Sequence, residues 1–227
     1  MQATDLDSIF FLPLSLQATE ELELLQLHIQ NFDFEEDNTD HWQSVWGPDY
    51  SSRGFYKHVF SAIEAHPIFK NIWKSKCTAR IKFFDWLLII DRLNTKTMLT
   101  RRHIHVHNDN LCVMCNTGAE ETIDHLFFTC PFARQCWARI NINWNLQLNL
   151  EDRYLDAKQR NGADFFTEAT MIASWELWKI RNDKNFDRQT ICLNRWFCNF
   201  KMQGLLQSFR FKADLRLAFC FWLDAFS

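Results

Sequence analysis

Turn formers are scarce in this chain: five glycines and four prolines among 227 residues, about 4% together against roughly 12% in an average protein. So few reversal points exclude a β-sandwich, a collagen-like repeat and a low-complexity linker, and they favour long helices with few hairpins. Long apolar runs are missing as well. The strongest, Phe83–Ile90, is interrupted by Asp85 and falls far short of the ~18 residues that cross a bilayer. The first residues carry neither the basic stretch nor the apolar core of a secretory signal, so no membrane partner is expected. What abounds is aromatic surface, with 22 Phe and 10 Trp, which excludes a disordered chain.

Charge of one sign is lacking only in the total. The formal net charge is -3, yet residues 1–66 hold two basic and twelve acidic side chains, whereas 67–107 hold nine basic and two acidic. A polyanion would meet the second segment and be repelled by the first.

Apolar spacing predicts a mostly α protein. A helix is expected over 15–30, an acidic loop over 33–40, and a small β-hairpin over 41–52 around Gly47-Pro48. Ser52 is read as the cap of a helix that turns Phe55, Tyr56, Val59, Phe60 and Ile63 to the core. Beyond a boundary at Pro67, the dense run 79–93 reads as a helix packed on most sides, and Thr95 as the cap of a short helix ending at Arg101-Arg102. Pro131 opens a further helix. The Asn-rich stretch 141–164 lacks periodicity and reads as a loop with a boundary near 145. A helix is expected over 165–181, and one long amphipathic helix over 190–222, bent near Gly204. The domains are thus 1–66, 67–145 and 146–227.

Eight cysteines could form a disulfide set in a secreted chain, but without a targeting signal a reduced intracellular protein, of nucleus or cytoplasm, with one metal site fits better. Its ligands are Cys112, Cys115, His125 and Cys130, spaced Cys-x2-Cys-x9-His-x4-Cys. The Cys-x2-Cys pair aims two thiols at one point, with Gly118 helping the chain reverse. Thr122 is the expected cap of a short helix carrying His125, and Cys130 sits at the break before Pro131. Three thiols and one imidazole are the donor set of a structural Zn²⁺, a Cys3His knuckle with no open position for water. Cys136 reads as core, and Cys77, Cys192, Cys198 and Cys220 as buried thiols without pairing logic. Glu120, Glu121 and Asp124 read as helix-capping acids that also support the metal ligands. His103, His105 and His107 alternate and would share one face of an extended chain, as phosphate contacts, competing ligands or plain polar positions. Lys70, Lys74, Lys76, Arg80, Lys82, Arg101 and Arg102 are interleaved with Trp73, Phe83 and Trp86. This set reads as a nucleic-acid contact or a solvated rim, with the aromatics assigned to the core by periodicity.

The runs IWKSKCTARIKFFDWLLIIDRLNTKTML at 72–99, CVMC at 112–115 with EETIDHLFFTCPFARQCW at 120–137, and ASWELWKIRNDKNF at 173–186 resemble the zinc-binding region near the C-terminus of plant non-LTR (LINE-type) retrotransposon reverse transcriptases. The resemblance gives the four ligand positions the same roles, and Glu121, Thr122, Leu126, Phe127 and Trp137 match the scaffold around them. Thr78 departs from it, since relatives often carry proline near the start of the basic helix. The resemblance implies a module that helps a polymerase hold template RNA or target DNA, or that completes its C-terminal fold. No Tyr/Phe-x-Asp-Asp motif and no nuclease carboxylate set occurs here, so no independent enzyme is expected. The expected function is a zinc-stabilised, non-catalytic accessory module. It would contact RNA or DNA phosphates through Lys74, Lys76, Arg80, Lys82, Arg101 and Arg102. The competing expectation is a structural or protein-interaction remnant that packs on a reverse transcriptase or another chain.

Overall fold

The computed structural model describes residues 14–31, 50–104 and 110–226. The chain divides into two compact units, Met1–Ile63 and Glu64–Ser227. The acidic loop expected over 33–40, the hairpin positions 41–49, and His105 and His107 lie outside the described residues.

In the first unit, α1 (Leu16–Gln30) starts where Ser15 accepts the Ala18 N–H, and α2 (Ser52–Val59) where Ser51 accepts the Gly54 N–H. The cap of α2 is therefore Ser51 and not Ser52. Phe55, Tyr56, Val59, Phe60 and Ile63 are exposed, not core. Eight residues of helix bury little alone, and their apolar row needs a surface that these two helices do not provide.

The second unit holds α3 (Pro67–Lys74), α4 (Ala79–Ile89), α5 (Lys96–Arg101), a π-helical turn (His125–Thr129), α6 (Pro131–Arg139), α7 (Leu150–Asn161), α8 (Phe166–Asp187), α9 (Leu193–Ser208) and α10 (Ala213–Asp224). Thr95 caps α5 through the Met98 N–H, as its sequence predicts. The only extended pairing among the described residues is one antiparallel bridge, Leu111 to Glu120. The architecture is mostly α.

At the centre lies α8, against α4, α7 and α9, so residues on both sides of 145 share one core. Its inner residues Met171, Ile172, Ala173, Leu177 and Ile180 are fully enclosed. The abundant aromatics form several groups, one of them around Trp144 with Phe128, Trp137 and Tyr154. In another, Phe84 meets Trp175 edge-on at 5.1 Å, and Phe127 stacks near Trp178 at 6.4 Å. In a third, Phe165, Phe219 and Trp222 lie within 5.8 Å of one another, and Phe226 closes on Trp222 at 5.0 Å. Each such pair contributes about 0.5–1.5 kcal/mol beyond its buried area.

Three further expectations need correction. The stretch 141–164 contains α7, because Asn149 accepts the Asp152 N–H at 2.8 Å and Gly162 closes the helix at φ +72°. The run 190–222 is two helices, broken over 209–212. Gly204 is not the bend. A Cβ there would sit 3.1 Å from Leu223 and 3.3 Å from Phe219, so glycine is the residue that lets α10 approach α9. Cys192 and Cys198 are exposed, while Cys77 and Cys136 are enclosed as expected. The short supply of glycine also leaves Asp91, His103, Asn141 and Arg188 in the left-handed region just past helix ends, where glycine is the usual occupant.

Asp85 lies on the inner face of α4 with Oδ1 lacking any hydrogen-bond partner. Burial pushes its carboxyl up to about 7 from 3.8, because the charged form is poorly solvated there. Folding therefore takes up a proton between these values, and this group's contribution is greatest below pH 4 and lost as pH rises through 7. Asp85→Asn is expected to stabilise the protein increasingly from pH 5.5 to 7, by up to about 1.4 kcal/mol per pH unit, with a plateau above 7. Urea unfolding across that range checks it, and a gain independent of pH would contradict it.

Candidate metal centre

The Leu111–Glu120 bridge pinches off the loop that carries both knuckle cysteines. Cys112 donates its N–H to the Ala119 carbonyl at 2.9 Å, and Glu121 donates to Asn110 at 2.7 Å. Gly118 takes φ +71° in the reversal, a conformation easy only without a Cβ. The chain then enters a helical segment at Thr122, whose hydroxyl accepts the His125 N–H at 3.0 Å.

From His125 the backbone makes one π turn, closed by the Cys130 N–H on the His125 carbonyl at 2.7 Å. Five residues on a regular α-helix would leave the two side chains about 140° apart. The wider turn returns Cys130 to the side of His125. Pro131 follows and has no N–H to offer the Phe127 carbonyl, which accepts the Trp137 indole N–H at 2.6 Å instead. Cys130 thereby sits at the N-terminus of α6.

The result brings all four expected ligands together. The donor atoms of Cys112, Cys115, His125 and Cys130 lie within 4.8 Å of one another. A tetrahedral zinc with bonds of about 2.0–2.3 Å needs donors about 3.3–3.8 Å apart, and Cys115 Sγ already stands 3.3 Å from His125 Nε2. The opposite ring nitrogen, Nδ1, faces the Thr129 hydroxyl at 3.3 Å. A proton on Nδ1 leaves the Nε2 lone pair for a metal, the tautomer that such a ligand requires. The hydrogen bond from the Cys112 thiol, helped by the N–H groups of Ala133 and Phe132, pulls Cys130 down to about 5. Cys112, as the donor, is pushed up. A helix N-terminus is where a thiolate is best held. The donor set therefore fits one zinc ion and leaves no fourth position for water. His103 is not among the donors.

With the geometry in place, the comparisons become informative. Residues 50–137 match the family described as zinc-binding in reverse transcriptase. That stretch, which contains all four donors, is similar to this family. A protein of Arabidopsis thaliana named "Putative ribonuclease H protein" is 28% identical over 134 residues, which cover 56% of this chain. The chain spans about a fifth of that relative's length, 21%. No solved structure matches. These findings agree with the resemblance to a retrotransposon-derived protein.

Sequence reading missed what anchors the zinc-binding domain. Glu121 is fully buried and takes a forked contact from Arg181 of α8, with Nη2 to Oε1 at 2.6 Å and Nε to both oxygens at 3.2 Å. Its Oε1 also accepts the Lys96 N–H at 3.0 Å, and the Lys96 Nζ donates to the Leu111 carbonyl at 2.9 Å. Glu121 is thus a tie between the bridge, α5 and α8. Asp124 likewise pairs with the buried Arg153 of α7 at 2.6 Å. The expected capping role falls to Thr122 alone. The only sequence signal for the tie was the Trp-x-x-Trp-Lys-x-Arg-Asn stretch, in which Trp175 and Trp178 pack on Phe84 and Arg181 reaches Glu121.

The six basic positions fall into two groups. Lys74, Lys76, Arg80 and Lys82 belong to α3, α4 and the turn between them. Arg101 and Arg102 end α5, where Arg101 pairs with Asp91 at 2.6 Å and Arg102 donates to Asn94 at 3.0 Å.

Two outcomes follow from this site. Cys115→Ser is expected to lower the zinc-to-chain ratio from one to near zero and to unravel residues 110–140, because metal binding and folding are coupled; an unchanged circular dichroism spectrum after zinc removal would contradict it. Arg181→Leu, which strands a buried carboxylate, is expected to cost about 3–5 kcal/mol. The double variant Glu121→Leu/Arg181→Leu should recover most of that loss in urea unfolding.

Proposed function

We propose that this chain is a zinc-stabilised accessory module, without catalysis of its own, that holds nucleic acid through its backbone phosphates. The observation that carries the reading is the basic face of α3 and α4. Lys70, Lys74 and Lys76 are exposed and have no ion-pair partner among the described residues. Surface lysines without an ion-pair partner raise the local potential and attract polyanions. The relative's name, a ribonuclease H protein, belongs to the same chemistry of nucleic acids. Four protein donors around one ion support a metal with a structural task, since nothing is left to activate water.

Here Arg101 and Arg102 have the smaller part, because own-chain oxygens already occupy them. A second reading, docking on another protein, is favoured by one observation. Met202, Leu205, Leu206 and Phe209 form an exposed row on and just beyond α9, and Leu217 and Phe221 are exposed on α10, more apolar surface than isolated exposed residues present.

Binding of a labelled oligonucleotide is expected to weaken steeply with salt, with a slope of about 0.7–0.9 per neutralised phosphate on a log-log plot. Lys74→Glu with Lys76→Glu should lower that slope by about 2 and weaken binding at every salt concentration. Absent or salt-insensitive binding would overturn the reading.

A further inference from the structure

The basic face holds more than charge. Periodicity assigns Trp73 and Phe83 to the core, yet Trp73 is 50% exposed and Phe83 53% exposed. The inner rows explain why. Helix α3 buries Ile68 and Ile72, and α4 buries Ile81, Phe84, Asp85, Leu88 and Ile89, which leaves Trp73, Lys74, Arg80 and Phe83 on the outer side. One exposed ring needs no explanation. Here two rings lie on helices that also carry the exposed cations Lys70, Lys74 and Arg80, with Lys76 in the turn between them and the half-buried Lys82 bonded to the Trp73 carbonyl, and the acid of α4, Asp85, is enclosed.

The platform is also fixed in place. Lys82 Nζ donates to the Trp73 carbonyl at 3.0 Å and ties the end of α3 to α4. The turn between the helices is held on three sides. Lys76 N–H bonds Glu168 at 2.9 Å, Thr78 N–H bonds Gln207 at 3.0 Å, and Arg210 Nε bonds the Lys76 carbonyl at 3.0 Å. Phe83 rests 5.4 Å from Trp86. A backbone held this way, with the Phe83 ring also packed on Trp86, loses little freedom when a flat ligand covers the face.

We infer that Trp73 and Phe83 are base-stacking rings of a single-strand binding site on the outer face of α3 and α4, an inference that rests on the nucleic-acid reading above. A duplex keeps the faces of its bases inside its own stack, whereas a single strand offers them. Exposed rings and lysines on the same pair of helices supply both of the contacts that such a strand takes, stacking for its bases and charge for its phosphates.

The test uses the full zinc-loaded chain and fluorescence anisotropy with labelled 20-mers of oligo(dT) and oligo(U), beside a duplex of the same length. The wild-type chain is expected to prefer the single strands. Trp73→Leu and Phe83→Leu should each weaken single-strand binding about 5- to 100-fold, with duplex affinity and the salt slope unchanged. Trp73→Phe should retain most of the affinity. Circular dichroism confirms that the variants fold, as half-exposed positions permit. If salt-dependent binding persists but the ring variants leave single-strand affinity unchanged, or weaken strand and duplex alike, stacking is overturned and the phosphate reading stands. If no oligonucleotide binds at any salt concentration, both fall. An acidic amphipathic peptide that binds at these rings, with no oligonucleotide binding, would likewise overturn both.

Discussion

Pro131 has no N–H to give, and the geometry on both sides of it follows from that lack. The helical segment beginning at Thr122 cannot run through it, so the backbone widens into a π turn and ends at Cys130. The carbonyl that a longer helix would have satisfied is taken by the Trp137 indole, which fixes α6 against the turn. A new helix starts at once, and its first N–H groups point at the Cys130 sulfur. One missing donor thus sets the position of two ligands and brings backbone donors to the sulfur of one, beside the Cys112 thiol that holds it most. A buried carbonyl left without a partner would cost about 1–3 kcal/mol, so Trp137 is as much a condition of the site as the cysteines are.

The ligand loop is small and cannot bury enough apolar surface to hold itself. It is supported through Glu121, whose carboxylate joins α5 at Lys96 and α8 at Arg181. Removing one partner of such a pair is far costlier than the pair's own net worth. The value of the arrangement therefore lies in the unique register it imposes between elements 60 residues apart in sequence. The same α8 carries Trp175 and Trp178 against Phe84 of α4. The zinc-binding domain and the basic face are thereby positioned by one central helix, which lies beyond the residues of the family match.

Much of this was legible in the sequence, and the parts that were not share a physical reason. The Cys-x2-Cys-x9-His-x4-Cys spacing, the Thr122 cap and the Gly118 reversal are local signals, and each is found as read. Helix α7 was hidden because charged residues make up half of it, and only Tyr154 and Ala157 of its apolar positions are buried; its capping residues, Asn149 and Gly162, were the better signal. The break between α9 and α10 carries neither glycine nor proline. The Glu121–Arg181 tie and the Asp124–Arg153 pair are long-range, and nothing in local spacing identifies which arginine meets which acid. The exposure of Phe83 escaped for a different reason. In α4 the apolar residues are so dense that no face stands out, and the packing of α8 and α3 decides which are covered.

The departure at Thr78 shows how the scaffold adapts to its own sequence. Proline at that place would supply a fixed φ for the start of α4 but no N–H. Thr78 keeps the N–H and gives it to Gln207 of α9 at 3.0 Å, while its side chain makes no capping bond. Gln207 is itself buried, so its amide oxygen needs such a donor. The turn that proline would stiffen from within is stiffened here from outside, by Gln207, Glu168 and Arg210. The consequence reaches the surface: α3 and α4 keep their mutual angle because α8 and α9 grip the turn between them, and the lysines beside that turn stay where the fold puts them.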